Sequence, residues 1–534
     1  VASSPVPPAR PSRLTWILPV ALGALGAALR LWQYAAGASL WADEANLALN
    51  LVDRSPGRLL GPLDYRQMAP PGWLLLQKAA VTALGGGEHA LRLVPLLGSL
   101  AALPLTWLVA RRVLRPGLGP ALALGLVATA VPLIFFAAQV KPYATDTAAA
   151  LGLLALAIAP GGAGAGSRRL LPLGVAGVLL PWLSYPALLV GAGVLGALFG
   201  TAALARDRER LRALAMVGLA WAASAAATIA WARTTLGPDD VEYFRSFWAH
   251  WLMPLPPRSL QDLGWPVARV TTVYGGGGLR YPAPGVFIAL AMLGAVALWR
   301  RARLHAWLLL GPIAATFAAA AIHVYPFSPR LVLFLFPAFL ILTAAGPEAL
   351  ARFGRAAGTI ATLLCAGLAL HGLVRDPPPY APEPLKPVLL PMRQAWQPGD
   401  RAYVYYGAEK AFVYYARRLG FPADAYVLGR CAREDLRVYL RELDALRGAP
   451  RVWVVIAHGR REEERLLLDY LDRIGTRRAV FRAGGRAPGA RTDEHAHAYL
   501  FDLSDPRRLA AASWDTFPAP PPRPAAAWSC HPGA

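Results

Sequence analysis

Charge is what this sequence lacks most. Of its 534 residues only 16% are Asp, Glu, Lys or Arg, against about a quarter in an ordinary soluble domain, and 56% are hydrophobic. A chain so poor in charge cannot sit in water along its whole length. Acids are the scarcer sign: 32 Asp and Glu against 54 Lys and Arg leave a formal charge of +22, with a pI near 10.5 and a mean hydropathy of +0.38. A basic surplus can serve nucleic acid, but the arginines gather at the ends of apolar runs rather than on one polar helix or arm, which excludes that partner. Cysteine is scarce as well, and three cysteines give no metal framework. Cys365 lies in an apolar run, whereas Cys431 and Cys530 fall late in the chain and can pair if that part faces an oxidising compartment.

What the sequence has instead is long apolar runs. Leu14–Leu29, Ala121–Ala137, Leu211–Ala230 and Leu304–Ile322 are nearly free of charge and approach the ~20 residues that cross ~30 Å of hydrocarbon as a helix. Membrane spans are expected near 14–33, 89–110, 118–136, 143–160, 169–182, 186–205, 211–232, 283–299, 304–322, 331–346 and 356–374, the first as an uncleaved helix rather than a signal peptide. Every second connector is then short and rich in arginine: Arg10 and Arg13, Arg111 to Arg115, Arg168 and Arg169, Arg206 to Arg212, Arg300 to Arg303, and Arg352 with Arg355. The positive-inside rule makes that side cytoplasmic. The opposite side receives 34–88, 137–142, 183–185, 233–282, 323–330 and everything beyond Arg375. In the first of these loops Pro71–Leu84, opened by Ala69-Pro70-Pro71-Gly72, reads as an interfacial or re-entrant helix. The aromatic stretch Tyr243–Trp251 reads as an interfacial belt, with a sugar-stacking platform as the alternative.

After residues 1–375 comes a Pro-rich linker, 376–400, and then the texture changes. Arg401–Tyr406, Ala425–Leu428, Arg451–Ala457 and Ala496–Leu503 read as strands, alternating with amphipathic helices over Glu409–Leu419, Arg433–Leu446 and Glu462–Ile474. This pattern predicts an α/β domain over 401–505 with a largely parallel sheet, followed by a Pro/Ala-rich tail, 506–534. No Gly-rich dinucleotide fingerprint follows the first strand. Asp493-Glu494-His495-Ala496-His497 runs into the alternating strand HAHAYLFDL and reads as a solvated strand end rather than a metal site.

The informative charges lie at the non-cytoplasmic ends of the spans. Asp43 and Glu44 follow the first span in SLWADEANLALN, Lys141 opens KPYATD with Asp146 a little further in, and Arg330 closes HVYPFSPR. Arg30 lies inside the first span near the same end. Charges at such depth are costly and face a cavity or a partner. Carboxylates and cations from distant spans thus converge on one leaflet, an arrangement suited to a lipid-linked phosphate: Lys and Arg hold phosphoryl oxygens, and a carboxylate takes a proton from an incoming hydroxyl or amine. Each has a plainer reading beside it. Asp43 can cap a helix starting near Ala45, Glu44 can be solvated, Lys141 and Arg330 can be snorkelling anchors, Asp146 can pair with Lys141, and Arg30 with Asp43 or Glu44. Tyr65 and Gln67 in LDYRQMAPPG, with Tyr143, His323 and Tyr325, are the remaining candidates for substrate contact or interfacial packing.

Read together, SLWADEANLALNLVDRS, PLDYRQMAPPGWLLLQKAAVTALGGGEHALRLVPLLGSL, KPYATD and SPRLVLFLFPAFLIL resemble bacterial glycosyltransferase family 39 and its relatives, the protein O-mannosyltransferase-like and aminoarabinose-transferase-like membrane enzymes of the GT-C fold. The resemblance covers roughly residues 14–375. It implies a polytopic α-helical protein of a bacterial inner membrane, N-terminus cytoplasmic and C-terminal α/β domain extracytoplasmic, that moves a sugar from a polyprenyl phosphate to an extracytoplasmic protein, lipid or cell-envelope glycan, with inversion at the anomeric carbon. It implies Asp43 as general base with Glu44 beside it, and Lys141 and Arg330 on the lipid phosphate. No ligand set is clear, so no obligatory metal or cofactor is expected. A transporter or flippase of lipid-linked saccharides is the alternative; it calls for inverted repeats and broken helices at the bilayer midplane, and no repeat is evident.

Overall fold

The computed structural model describes residues 14–159, 170–488 and 495–521; Arg10, Arg13, Arg168, Arg169, Asp493, Glu494, Cys530 and the end of the tail lie outside the described residues. Helices α1 (Leu14–Ala35), α2 (Ala42–Asp53), α3 (Pro71–Leu84) and α4 (Glu88–Val113) lead into α5 (Leu118–Thr129), α6 (Val131–Phe135), α7 (Tyr143–Ala157), α8 (Leu171–Leu179), α9 (Pro186–Leu204) and α10 (Arg208–Thr234). Three shorter pieces follow, α11 (Pro238–Trp248), α12 (Leu260–Leu263) and α13 (Trp265–Tyr274). The long helices resume with α14 (Pro284–Arg301), α15 (Arg303–Ala321), α16 (Phe336–Leu350) and α17 (Arg355–Arg375). Among the described residues eight helices are long and apolar enough to cross a membrane. Leu118–Thr129 and Val131–Ala138 form a further pair bent by 57°, while Tyr143–Ala157 and Leu171–Trp182 are apolar but shorter. A helix or bent pair lies at each of the eleven expected spans, but those at 143–160 and 169–182 fall short of a crossing length; the chain is a multi-pass membrane protein.

In lipid the helices pack through small residues that let backbones approach. At the α14–α16 crossing a Cβ on Gly346 would lie 2.4 Å from the Leu290 carbonyl oxygen, and one on Gly294 2.1 Å from that of Leu342. Neither position has room for a side chain.

The bend after α5 has a definite cause. Ala130 is extended (φ −64°, ψ 111°), and Pro132 has no N–H to offer the Ala128 carbonyl. Arg30 fills the gap from α1: its guanidinium donates to the carbonyls of Ala128 (3.1 Å) and Val127 (3.1 Å), and also to Gly26 O (3.0 Å) and Ser99 Oγ (2.8 Å). This corrects the expectation that Arg30 meets substrate or pairs with Asp43 or Glu44. It is fully buried and occupied by backbone that hydrocarbon cannot solvate. Arg30→Leu is therefore expected to leave two buried carbonyls unpaired, at about 1–3 kcal/mol each, and a lower Tm in detergent would report it.

The C-terminal region contains α18 (Lys386–Gln394), β1 (Arg401–Val404), α19 (Glu409–Leu419), β2 (Tyr426–Leu428), α20 (Arg437–Asp444), β3 (Val452–Ile456), α21 (Arg461–Ile474), β4 (Thr476–Gly484), β5 (His495–Asp502) and α22 (Pro506–Leu509). The sheet order is β2-β1-β3-β5-β4. β1 runs parallel to β2 and β3, but β5 is antiparallel to both β3 and β4. The sheet is therefore mixed, not largely parallel. β4 escapes a sequence reading because TRRAVFRAG carries Arg477, Arg478 and Arg482, as an edge strand paired on one side can.

One face of the sheet packs on Leu440, Leu467 and Tyr470. The other face, with Trp453 and Val455, shares a single core with Leu47 and Leu51 of α2 and Trp73 of α3. Val388, Leu389 and Met392, from the segment read as a linker, lie in that same core. Polar contacts reinforce the junction: the Tyr415 hydroxyl accepts from Leu40 N at 2.9 Å, and Arg417 pairs with Asp53 at 2.8 Å. The sheet region is thus bonded to α2, the helix that carries Asp43.

Candidate active site

Helix α2 begins at Ala42, and its N-cap Trp41 gives no side-chain cap. Asp43 and Glu44 sit in the first turn, where the helix dipole favours acids, but neither caps the helix. Asp43 turns outward instead and bridges two cations. Its Oδ1 lies 3.0 Å from Lys141 Nζ and its Oδ2 3.2 Å from Arg330 Nη1. Lys141 comes from the loop before α7 and Arg330 from the loop between α15 and α16, so three remote segments meet at one point. The three side chains are 25%, 11% and 29% exposed, so the cluster is sheltered yet open to a ligand. Burial pushes the Asp43 carboxyl up, but Lys141 and Arg330, with a smaller share from His458, outweigh it and hold the group below the usual carboxylate range.

The neighbourhood extends the cluster. Lys141 also donates to Gln67 Oε1 at 2.8 Å, and the Arg330 guanidinium lies 4.8 Å over the ring of Trp248, the last residue of α11. In the same helix Tyr243 stacks on Phe247 and carries the Arg66 guanidinium 4.6 Å above its ring. A cavity of about 200 Å³ opens beside Arg330. Pro132, Phe135, Phe136, Leu333 and Phe336 give it an apolar wall, and Trp41 and Pro382 line it near the start of α2. Asp146 lies within α7 and is 5% exposed; its Oδ1 has no hydrogen-bond partner, and it forms no ion pair among the described residues.

Glu44 does something other than what its place beside Asp43 suggests. Its carboxylate is fully buried and takes the Arg92 guanidinium in a fork, Nε to Oε1 at 2.9 Å and Nη2 to Oε2 at 2.6 Å. Oε1 also accepts from Val140 N at 2.8 Å. Fully buried and with both oxygens occupied, Glu44 ties α2 to α4 and to the loop carrying Lys141. Arg92 carried a readable signal, a charge inside an apolar span.

The other candidates divide. The Tyr143 ring packs edge-on against Phe136, 5.1 Å between centroids, beside the cavity wall. Tyr65 meets the C-terminal region, its ring 4.5 Å from Lys410 Nζ. Tyr325 donates to Leu331 O at 2.8 Å and so shapes the loop that presents Arg330. His323 is exposed and bonded to Met253 O at 2.9 Å, with no contact to Asp43, Lys141 or Arg330. Sequence reasoning passed over Trp248 as part of a belt, and it found no signal at all for Glu383 or His458.

No protein-family model matches the sequence, and no curated protein matches it either. Solved structures do. ArnT from Cupriavidus metallidurans in the apo state is similar at a TM-score of 0.50 and 15% identity, over 90% of this chain and 97% of its own. The same protein bound to undecaprenyl phosphate is similar at a TM-score of 0.50 and 14% identity, over 92% and 98% of the two chains. At such identity the likeness is one of fold, and it extends through the C-terminal region. The chain is a polytopic membrane protein with a C-terminal α/β domain. More particularly, it shares its fold with the solved ArnT structures.

Proposed function

We propose that this protein is a membrane glycosyltransferase that moves a sugar from a polyprenyl phosphate to an acceptor at the membrane face bearing Asp43. The acceptor is a protein, a lipid or a cell-envelope glycan, and on this reading the face is the extracytoplasmic side of a bacterial inner membrane. The observation that carries the proposal is Asp43 held between Lys141 and Arg330, the latter lining a largely apolar cavity. Solved ArnT binds undecaprenyl phosphate, which fits a donor of this chemistry.

In the proposed reaction the first isoprene units lie against Phe135, Phe136 and Phe336, with the phosphate on Lys141 and Arg330. The acceptor hydroxyl or amine attacks the anomeric carbon opposite the phosphate. Its bond to that carbon forms as the bond to the phosphate oxygen breaks, which inverts the centre. Asp43 takes the acceptor proton, and the polyprenyl phosphate leaves on the two cations, whose charge counts most as the leaving oxygen becomes negative. Asp43 and the donor compete for the same cations. Before the donor binds they neutralise the carboxylate; once they turn to the phosphate, its basicity rises.

The test is a purified-protein assay with a polyprenyl-phosphate sugar and candidate acceptors. Release of free polyprenyl phosphate that depends on acceptor is the expected result. Transbilayer movement of the intact lipid-linked sugar in proteoliposomes, with no release, would overturn the proposal in favour of a flippase.

A further inference from the structure

We infer that the C-terminal domain is a working part of this site: Glu383, clamped by His458, fixes the first turn of α2 and with it Asp43. Both act as positioning residues rather than as groups that touch substrate. A helix start leaves backbone N–H groups that need acceptors, and α2 has no cap of its own because Trp41 supplies none. The acceptor comes from 341 residues further along the chain: Ala42 N donates to Glu383 Oε2 at 3.2 Å. Ala42 is the residue before Asp43, so the cap holds the backbone that aims the carboxylate.

Glu383 is itself held from both sides. Its Oε1 takes His458 Nδ1 at 2.5 Å, and it is only 4% exposed. Glu383 (φ +47°) and His458 (φ +55°) both adopt the left-handed backbone region, which side-chain-bearing residues enter at a cost and which clusters at functional sites. The strap leading through Glu383 is stitched down along its length. Tyr380 exchanges two hydrogen bonds with the Gln33 side chain of α1 (2.7 and 2.8 Å), and Ala381 exchanges two with Arg486 just past β4 (2.7 and 2.9 Å). Lys386 N donates to Ser39 Oγ at 3.0 Å. Gly407 allows the close approach at the other side, since a Cβ there would lie 2.7 Å from Ala457 O and 3.1 Å from His458 Cβ. Neighbouring Pro382 lines the cavity beside Arg330. The strap therefore passes between the membrane helices and the sheet at the one place where Asp43 needs support.

Catalytic geometry must hold to about half an ångström, and a displacement of about 1 Å costs on the order of 10²-fold in rate. In full-length protein, Glu383→Ala is expected to lower kcat by about tenfold to a hundredfold with the donor KM changed by less than about threefold. His458→Ala should lower kcat less. The double variant should be no slower than Glu383→Ala, because His458 works through Glu383. Glu383→Gln, which keeps an oxygen for Ala42 N, should recover most of the rate. Amide hydrogen exchange in the first turn of α2 should rise in Glu383→Ala and His458→Ala. Wild-type kcat or unchanged exchange in Glu383→Ala overturns the inference, as do multiplicative losses in the double variant. Should Glu383→Ala fail to fold, His458→Ala carries the test, and unchanged rate and exchange in it overturn the inference equally.

The inference rests on the sugar-transfer reading, and Asp43→Asn separates the two failures. An inactive Asp43→Asn beside a fully active Glu383→Ala overturns only the positioning role. A fully active Asp43→Asn removes the base and the positioning role together.

Discussion

Asp43→Asn should bind polyprenyl phosphate more tightly than the wild type while turning over about 10²–10⁴-fold more slowly. The amide keeps the shape of the carboxylate but cannot accept the acceptor proton, which accounts for the lost kcat. It also frees Lys141 and Arg330 from the charge that bridges them at 3.0 and 3.2 Å, leaving both for the phosphate. Opposite signs on binding and turnover separate this role from a structural one. Direct binding of polyprenyl phosphate and steady-state release from a lipid-linked sugar measure the two quantities. Unchanged turnover removes Asp43 as base, and weaker phosphate binding would mean that it only organises the cations.

Lys141→Met and Arg330→Gln are expected to lower kcat/KM by about 10- to 100-fold each, the worth of one charge-assisted hydrogen bond that strengthens as the leaving oxygen gains charge. Arg330→Lys should rescue poorly, because an ammonium cannot form the planar fork while lying over Trp248. The pH profile adds an independent sign. With its carboxyl held below the usual range, Asp43 in the free wild-type protein stays ionised until the solution is strongly acidic. The acid limb of kcat/KM, which reports the free protein, should therefore lie low. Deleting Lys141 removes a stabilising charge from the ionised form, so the limb should move up by about one pH unit or more. A limb that stays in place, or moves down, would show that another group sets it.

The sequence displayed what its spacing and polarity could carry. Apolar runs located the spans, because hydrocarbon leaves little choice of residue along ~30 Å. Lys141 and Arg330 stood out for being cationic at the end where cations are rare, and Asp43 for following a span directly. Arg30 had the same outward mark, a charge in an apolar helix, yet it serves the broken backbone at Val127 and Ala128. A buried cation answering a ligand and one answering stranded carbonyls look alike until the bend is seen. Glu44 misled through adjacency, since consecutive residues on a helix point about 100° apart. Glu383 sat in a Pro-rich stretch that read as a linker and gave no local sign of its task. β4 hid behind its arginines.

The strap between α2 and the sheet also sets an order for biogenesis. The helix bearing Asp43 emerges from the ribosome early, but its first-turn acceptor is Glu383 and the clamp on that acceptor is His458. Through most of synthesis the start of α2 lacks both, and the apolar flank formed by Leu47, Leu51 and Trp73 has no sheet to cover it. A nascent chain thus holds its ion cluster loosely until the last strands arrive. Premature termination between the end of α17 and residue 458 would leave the membrane helices without the clamp on the start of α2.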